Sequence, residues 1–155
     1  MGKIERFEDI EVWKKARELT KEIYKVSSSG RFAKDFGLRD QIRRASVSIM
    51  LNIAEGFARK TDKEFAQFLV HSHGSAAEAQ SALYVALDQE YITKEQFEFL
   101  YSLTEEISKK IMNFILYLKN SQRTKKSNSQ GANNPIDSID PIDSIDYKKM
   151  KRINE

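Results

Sequence analysis

His71 and His73 stand two residues apart in a chain that contains no cysteine. On a helix, positions i and i+2 point about 200° from each other, so the pair cannot grip one ion, and neither has the i, i+4 partner of a helical zinc site. Zero Cys excludes disulfides, thiol nucleophiles and zinc knuckles together. Serines are numerous, but hydrolysis needs a base within hydrogen-bond reach and a sharp turn that exposes the hydroxyl. No such elbow is written in the chain. The glycines never fall into GxGxxG or GK[ST] spacing, which removes a backbone cradle for phosphate. The residues predict no metal, no cofactor and no enzymatic turnover.

Two polar constellations remain. Arg44, Ser48, Asn52, Glu55 and Arg59 step by four, four, three and four, which lines them along one helix face. Arg39, Arg43, Val47, Met50, Ala54 and Phe57 fill a neighbouring face, so little of this helix is made for water. A helix apolar over more than half its circumference needs cover on two sides, and a single four-helix bundle supplies one. The spacing therefore predicts self-association through Val47, Met50, Ala54 and Phe57, with Arg44, Asn52 and Glu55 as a polar network that fixes register or meets a polyanion. The second constellation is Lys14, Arg17, Lys21 and Lys25, at steps of three, four and four. Glu11, Glu18 and Glu22 form an acidic stripe beside it that dilutes its field and suits a solvated, salt-bridged face. Arg39, Arg43 and Arg59 extend the basic stripe if the first two long helices pack side by side. Together the seven cations are the candidate nucleic-acid contacts, acting on phosphates without base readout.

Helical periodicity covers residues 8 to 119. Val12, Ala16, Leu19, Ile23 and Val26 recur at three- and four-residue steps, with Asp9 as the expected cap. Ser27 to Phe36 reads as a loop. The second helix is expected from Leu38 to Phe57, burying Leu38, Ile42, Ala45, Ile49 and Ile53, with Gly56 suited to a left-handed end. Thr61 with Glu64 spells a capping box, so a third helix is expected from Asp62 to Glu90, with a run of small residues from Gly74 to Ala82 that lets a neighbouring backbone come close. Thr93 with Gln96 is a second box, followed by Phe97, Leu100, Leu103, Ile107, Ile111, Phe114 and Leu118 at near-heptad spacing. Short connections between four helices predict an all-α, antiparallel up-down-up-down bundle over residues 1–119.

Residues 120–155 are different material. From Asn120 to Asn134 the chain is polar and aperiodic, which predicts disorder. Pro135–Asp140 and Pro141–Asp146 are identical copies of PIDSID. These are either an inconsequential tandem duplication or a docking motif anchored by Ile136, Ile139, Ile142 and Ile145.

With 155 residues, 40% apolar and 32% charged, the composition fits one soluble domain. No stretch is long and apolar enough for a membrane span or signal segment, so a cytoplasmic protein is expected. Net charge is +3, but residues 1–60 carry 14 Lys and Arg against 9 Asp and Glu, whereas residues 61–120 carry 5 against 9. Such asymmetry suits a polyanion or the pairing of oppositely charged surfaces.

FEDIEVWKKARELTKEIY, then FGLRDQIRRASVSIMLNIAEGFARKTDKEFAQFL, then HGSAAEAQSAL, closely resemble the bacterial four helix bundle protein family, known as the intervening-sequence protein of large-subunit ribosomal RNA. The resemblance covers about residues 5 to 118 and is most specific from Gly37 to Leu69. The family often carries Pro where Met50 stands, so a straighter second helix is expected here. The resemblance implies a non-enzymatic protein that forms a closed homo-oligomer, with a pentamer favoured. It is more distantly similar to the accessory variability determinant of diversity-generating retroelements, which implies RNA or a reverse transcriptase as partner. A protein-interaction module without nucleic acid is the alternative.

Overall fold

In the computed structural model, which describes residues 4–129, the apolar spacing places every long helix. A 3-10 turn, Phe7–Asp9, precedes α1 (Glu11–Val26), the short α2 (Gly30–Lys34), α3 (Phe36–Phe57), α4 (Asp62–Asp88) and α5 (Lys94–Ser129), and the described residues hold no strand. Val12, Ala16, Leu19 and Ile23 of α1 meet Ile42, Ile49 and Ile53 of α3, Leu69, Ala76 and Leu83 of α4, and Leu100, Ile107 and Ile111 of α5 in one buried cluster. α1 packs on α3 and α5, and α4 packs on the same two. No helix of the described residues is long and apolar enough to cross a membrane.

The caps explain the boundaries. At α4, Thr61 Oγ1 accepts from the Glu64 amide at 3.2 Å. At α5, Gln96 Oε1 accepts from the Thr93 amide while Thr93 Oγ1 accepts from the Gln96 amide, at 2.9 and 3.1 Å. Each bond satisfies a donor that the first turn leaves open. α3 begins two residues earlier than the spacing predicts because Asp35 caps it, accepting from the Leu38 amide at 3.1 Å. Asp9 does not cap α1. Its carboxylate accepts instead from the Arg6 amide at 3.3 Å, and Ile10 holds the cap position without a side-chain bond.

The expected loop from Ser27 to Phe36 contains α2, which starts from Gly30 at φ +62°, a conformation that costs most other residues. α2 exists to bury Phe32, which stacks on Tyr91 with centroids 5.4 Å apart. Tyr91 donates its hydroxyl to Asp35 Oδ2 at 3.0 Å, and Arg31 donates to the Gln89 carbonyl at 2.9 Å. The bond to Asp35 raises the Tyr91 phenol pKa. These contacts fasten the α1–α3 connection to the turn between α4 and α5. α4 ends as the Tyr91 amide bonds Ala86 and the Glu90 amide bonds Leu87, both at 2.9 Å, with Glu90 rather than a glycine in the left-handed region.

Gly56 has a different role from the helix end that its position suggests. It lies inside α3, where a Cβ would stand 2.7 Å from a ring carbon of Phe65 and 2.8 Å from Phe68 Cβ. α3 and α4 therefore approach more closely than any side chain at 56 would permit. Ser72 donates to the Ile49 carbonyl at 2.9 Å, and the Ser48 and Ser75 hydroxyls lie 2.8 Å apart across the same seam. The small residues of α4 divide: Ser72, Ser75, Ala76 and Ala79 are buried here, whereas Gly74, Ala77 and Ser81 are exposed.

α5 continues to Ser129, ten residues past the boundary at 119, so the unstructured segment expected from Asn120 is helix as far as 129. Residues 120–129 include Gln, Arg and Lys, good helix formers, and cations near a helix C-terminus oppose its partial negative charge. The PIDSID copies, with the rest of residues 130–155, lie outside the described residues.

Two glycine substitutions should move stability in opposite directions. Gly56→Ala forces a methyl into Phe65 and Phe68 and should lower unfolding free energy by about 1–3 kcal/mol. Gly74→Ala, where nothing stands within 4 Å, should raise it by about 0.5–1 kcal/mol through backbone entropy. Urea denaturation followed by circular dichroism reads both.

Candidate functional site

Because Val12, Ala16, Leu19 and Ile23 turn α1 into the core, the helical step of about 100° sends Lys14, Lys21 and Lys25 to the opposite side. All three are exposed, with Arg17 beside them. The guanidinium of Arg17 lies 5.9 Å from the centroid of the Trp13 ring. Lys14, Lys21 and Lys25 make no ion pair with any described residue, whereas Lys15, turned toward α5, pairs with Glu106 at 3.7 Å. Glu11 and Glu18 are exposed on the flank of the stripe. Glu22 is half-buried and lines a cavity of about 680 Å³ with Lys25, Arg31, Tyr91 and Phe99.

The arginines of α3 do not extend this stripe, although α1 and α3 pack side by side. Arg43 donates to Ser27 Oγ at 2.9 Å, to the Ser27 carbonyl at 3.2 Å and to Ser28 Oγ at 3.2 Å, and lies 4.5 Å from the centroid of the Tyr24 ring. It closes the C-terminal end of α1, where carbonyls lack helical partners and a cation is favoured. Arg39 donates to the Ala33 carbonyl at 3.0 Å, pairs with Asp40 at 3.1 Å and stacks over Phe36. Arg59 pairs with Glu55 at 2.9 Å over the Phe68 ring. Each of these heads has a partner inside the chain, and the seven cations do not form one continuous stripe.

The polar stripe of α3 also separates. Asn52 donates to the Ser48 carbonyl and hydroxyl at 2.8 and 3.0 Å, and Ser48 reaches Ser75 of α4. Glu55 belongs to Arg59, and Arg44 is exposed and joins neither group. The apolar stripe is half-buried throughout, and Met50 and Phe57 pack on the core of their own chain. Cover for Met50 and Phe57 is thus supplied within the chain. The apolar residue left outward is Leu51, 61% exposed. It lies in a groove of about 580 Å³ with Tyr24, Arg44, Val47 and Glu55. Leu51 was legible from spacing, since it stands four residues from both Val47 and Glu55.

His71 is exposed, while His73 is half-buried and its pKa is lowered by that burial. The described residues contain no cluster of three or more metal-ligating side chains. An aromatic group that the spacing did not single out, Tyr84, Phe97 and Tyr101, joins α4 to α5 with centroids 4.9 to 5.6 Å apart. Burial first, and then the hydrogen bond to Tyr84, raise the Tyr101 phenol pKa.

Fold and surface together define a helical-bundle protein whose distinctive chemistry is a lysine stripe on one outward helix. The chain matches the family model described as 23S rRNA-intervening sequence protein over residues 8–113, and it belongs to that family. It is also similar to a crystal structure from Bacteroides thetaiotaomicron VPI-5482, described as a protein of unknown function from the S23 ribosomal protein family. The two share 30% identity with a TM-score of 0.62, covering 67% of this chain and 97% of that one. A comparison with curated proteins gave no match.

Structural and solvent-facing arginines should separate in a thermal melt. Arg43→Gln strips the end of α1 of its donors and should cost about 1–3 kcal/mol, whereas Arg44→Gln on the same helix should leave the midpoint within a degree or so.

Proposed function

We propose that the chain is a non-enzymatic bundle subunit that assembles with copies of itself and holds RNA through phosphate contacts from α1. One observation carries the reading: Lys14, Lys21 and Lys25 stand on the outward side of α1 without an ion pair among the described residues, while Arg39, Arg43 and Arg59 are engaged within the chain. Cations held only by water release counterions when they meet phosphate, and that release drives sequence-tolerant binding. The family description names 23S rRNA, which favours RNA over other polyanions.

The subunit is an up-down-up-down four-helix bundle, supported by the short connections at 58–61 and 89–93 and by the packing of each long helix on two others. Assembly uses the outward face of α3, where Leu51 projects beside Val47, and Arg44 stands on the same face as Asp40 and Glu55. Mixed charge around an exposed leucine suits contact with an identical surface. By family resemblance the assembly is a closed ring, a pentamer, in the cytoplasm. Repetition around it multiplies weak phosphate contacts. The exposed leucine favours a second reading, a protein-only scaffold whose partner, a reverse transcriptase for example, meets α3.

Light scattering should give a mass several times the 18.0 kDa of one chain. Leu51→Glu should reduce it toward a single subunit, because an unpaired charge in an interface costs several kcal/mol. A monomer at micromolar concentration in the unaltered protein contradicts assembly.

Binding to structured RNA at about 50 mM salt should weaken 10-fold or more by about 200 mM. Changing Lys14, Lys21 and Lys25 together to Gln should weaken it by a similar factor with the melt unchanged. Salt-independent affinity, or none at low salt, favours the protein-only reading.

A further inference from the structure

Five arginines lie over aromatic rings among the described residues. Four of them, Arg31, Arg39, Arg43 and Arg59, also hold a carbonyl, a hydroxyl or a carboxylate of the chain, so in those places the ring steadies a guanidinium that the fold already uses. Arg17 is the exception. It is exposed, lies over Trp13 with 5.9 Å to the ring centroid, and makes no ion pair or side-chain hydrogen bond with any described residue. Trp13 is half-buried, packs on the core and meets the Phe7 ring edge-on at 5.1 Å, which fixes the indole beneath the guanidinium. α1 turns Val12, Ala16, Leu19 and Ile23 inward, and at about 100° per residue Trp13, Arg17 and Tyr24 then share one flank while Lys14, Lys21 and Lys25 point outward. Arg43 of α3 lies over Tyr24, so this flank is the one toward α3, and the pair of Lys15 with Glu106 marks the other. Lys14 stands three residues before Arg17 and Lys21 four after it, which makes both of them its neighbours on the helix surface.

We infer that Arg17, propped on Trp13, is a stacking platform for an unpaired nucleobase, so that the RNA held by α1 is single-stranded or looped rather than continuous duplex. The inference rests on the RNA reading above and names the substrate class of that surface. A planar guanidinium stacks on the face of a base as an aromatic ring does, and every base has such a face, so the contact is tolerant of sequence. In a duplex those faces are covered by neighbouring bases and the A-form major groove is too deep and narrow for side chains, whereas a base turned out of a loop can reach the helix surface. Lys14 and Lys21 then take the phosphates on either side of the stacked base. A cation already laid on a fixed ring loses less freedom on binding than a free one, which is what distinguishes Arg17 from the three lysines. Tyr24, the other exposed ring on this flank, lines the groove at Leu51 and belongs to the assembly face rather than to the platform.

The test uses the full chain with an unstructured RNA oligonucleotide and a blunt RNA duplex of the same length, and reads the ratio of the two affinities. Arg17→Lys keeps the charge and removes the plane. It should lower the ratio of single-strand to duplex affinity by about 5-fold or more, with the salt dependence of both unchanged. Arg17→Tyr keeps a plane and removes the charge, so it should preserve the ratio while both affinities fall. Lys14→Gln should weaken the two RNAs alike. An unchanged ratio in Arg17→Lys overturns the platform even where RNA binds, and a ratio lost as fully in Arg17→Tyr overturns stacking in favour of hydrogen bonds from the guanidinium. A chain that binds neither RNA overturns the RNA reading and the platform with it.

Discussion

The close approach of α3 and α4 at Gly56 is the constraint on which the other placements depend. With a Cβ excluded by Phe65 and Phe68, the two helices settle near enough for Ser72 to reach the backbone carbonyl of Ile49 and for Ser48 to meet Ser75. Such depth is possible only where α4 carries small residues, and it fixes the rotation of α3 about its axis. Rotation then decides the fate of every other α3 side chain. Ile42, Ile49 and Ile53 point inward, Met50 and Phe57 pack on the core, and Arg44, Leu51 and Glu55 remain outside.

That rotation also disposes of the arginines. Arg43 is aimed at the end of α1, where open carbonyls and a tyrosine ring hold it. A guanidinium with three bonds and a stacked ring has little left for phosphate, since releasing it strands the Ser27 carbonyl and costs about what a new contact returns. A lysine surrounded by water on α1 gives up nothing comparable. Similar formal charge thus leads to two roles, structural on α3 and available on α1.

Most of the fold was legible because its signals are local. Apolar steps of three and four marked the four long helices, and the boxes at Thr61 and Thr93 marked two starts to the residue. Features that depend on a distant partner were not. Gly56 looks like a helix end until Phe65 is packed against it, and α2 is invisible until Tyr91 receives Phe32. At the candidate site the α1 lysines were readable because their direction follows from the core positions of their own helix. Arg43 was not, because its partners Ser27 and Ser28 lie at the end of another helix, and Arg39 and Arg59 were readable only in part: Asp40 and Glu55 stand close in sequence, whereas Ala33 and Phe68 come near only through the fold. On the apolar side of α3, spacing alone did not separate Met50, which packs on the core of its own chain, from Leu51, which faces outward.

The central claim is that RNA meets this protein on the outward side of α1. Amine acetylation of the full chain with and without structured RNA, read lysine by lysine by mass spectrometry, tests it most directly. Lys14, Lys21 and Lys25 should be protected by RNA at least several-fold, with Lys60, Lys63 and Lys109 reacting as before. Equal reactivity of the α1 lysines in both samples, or protection confined to the other three, would contradict the account.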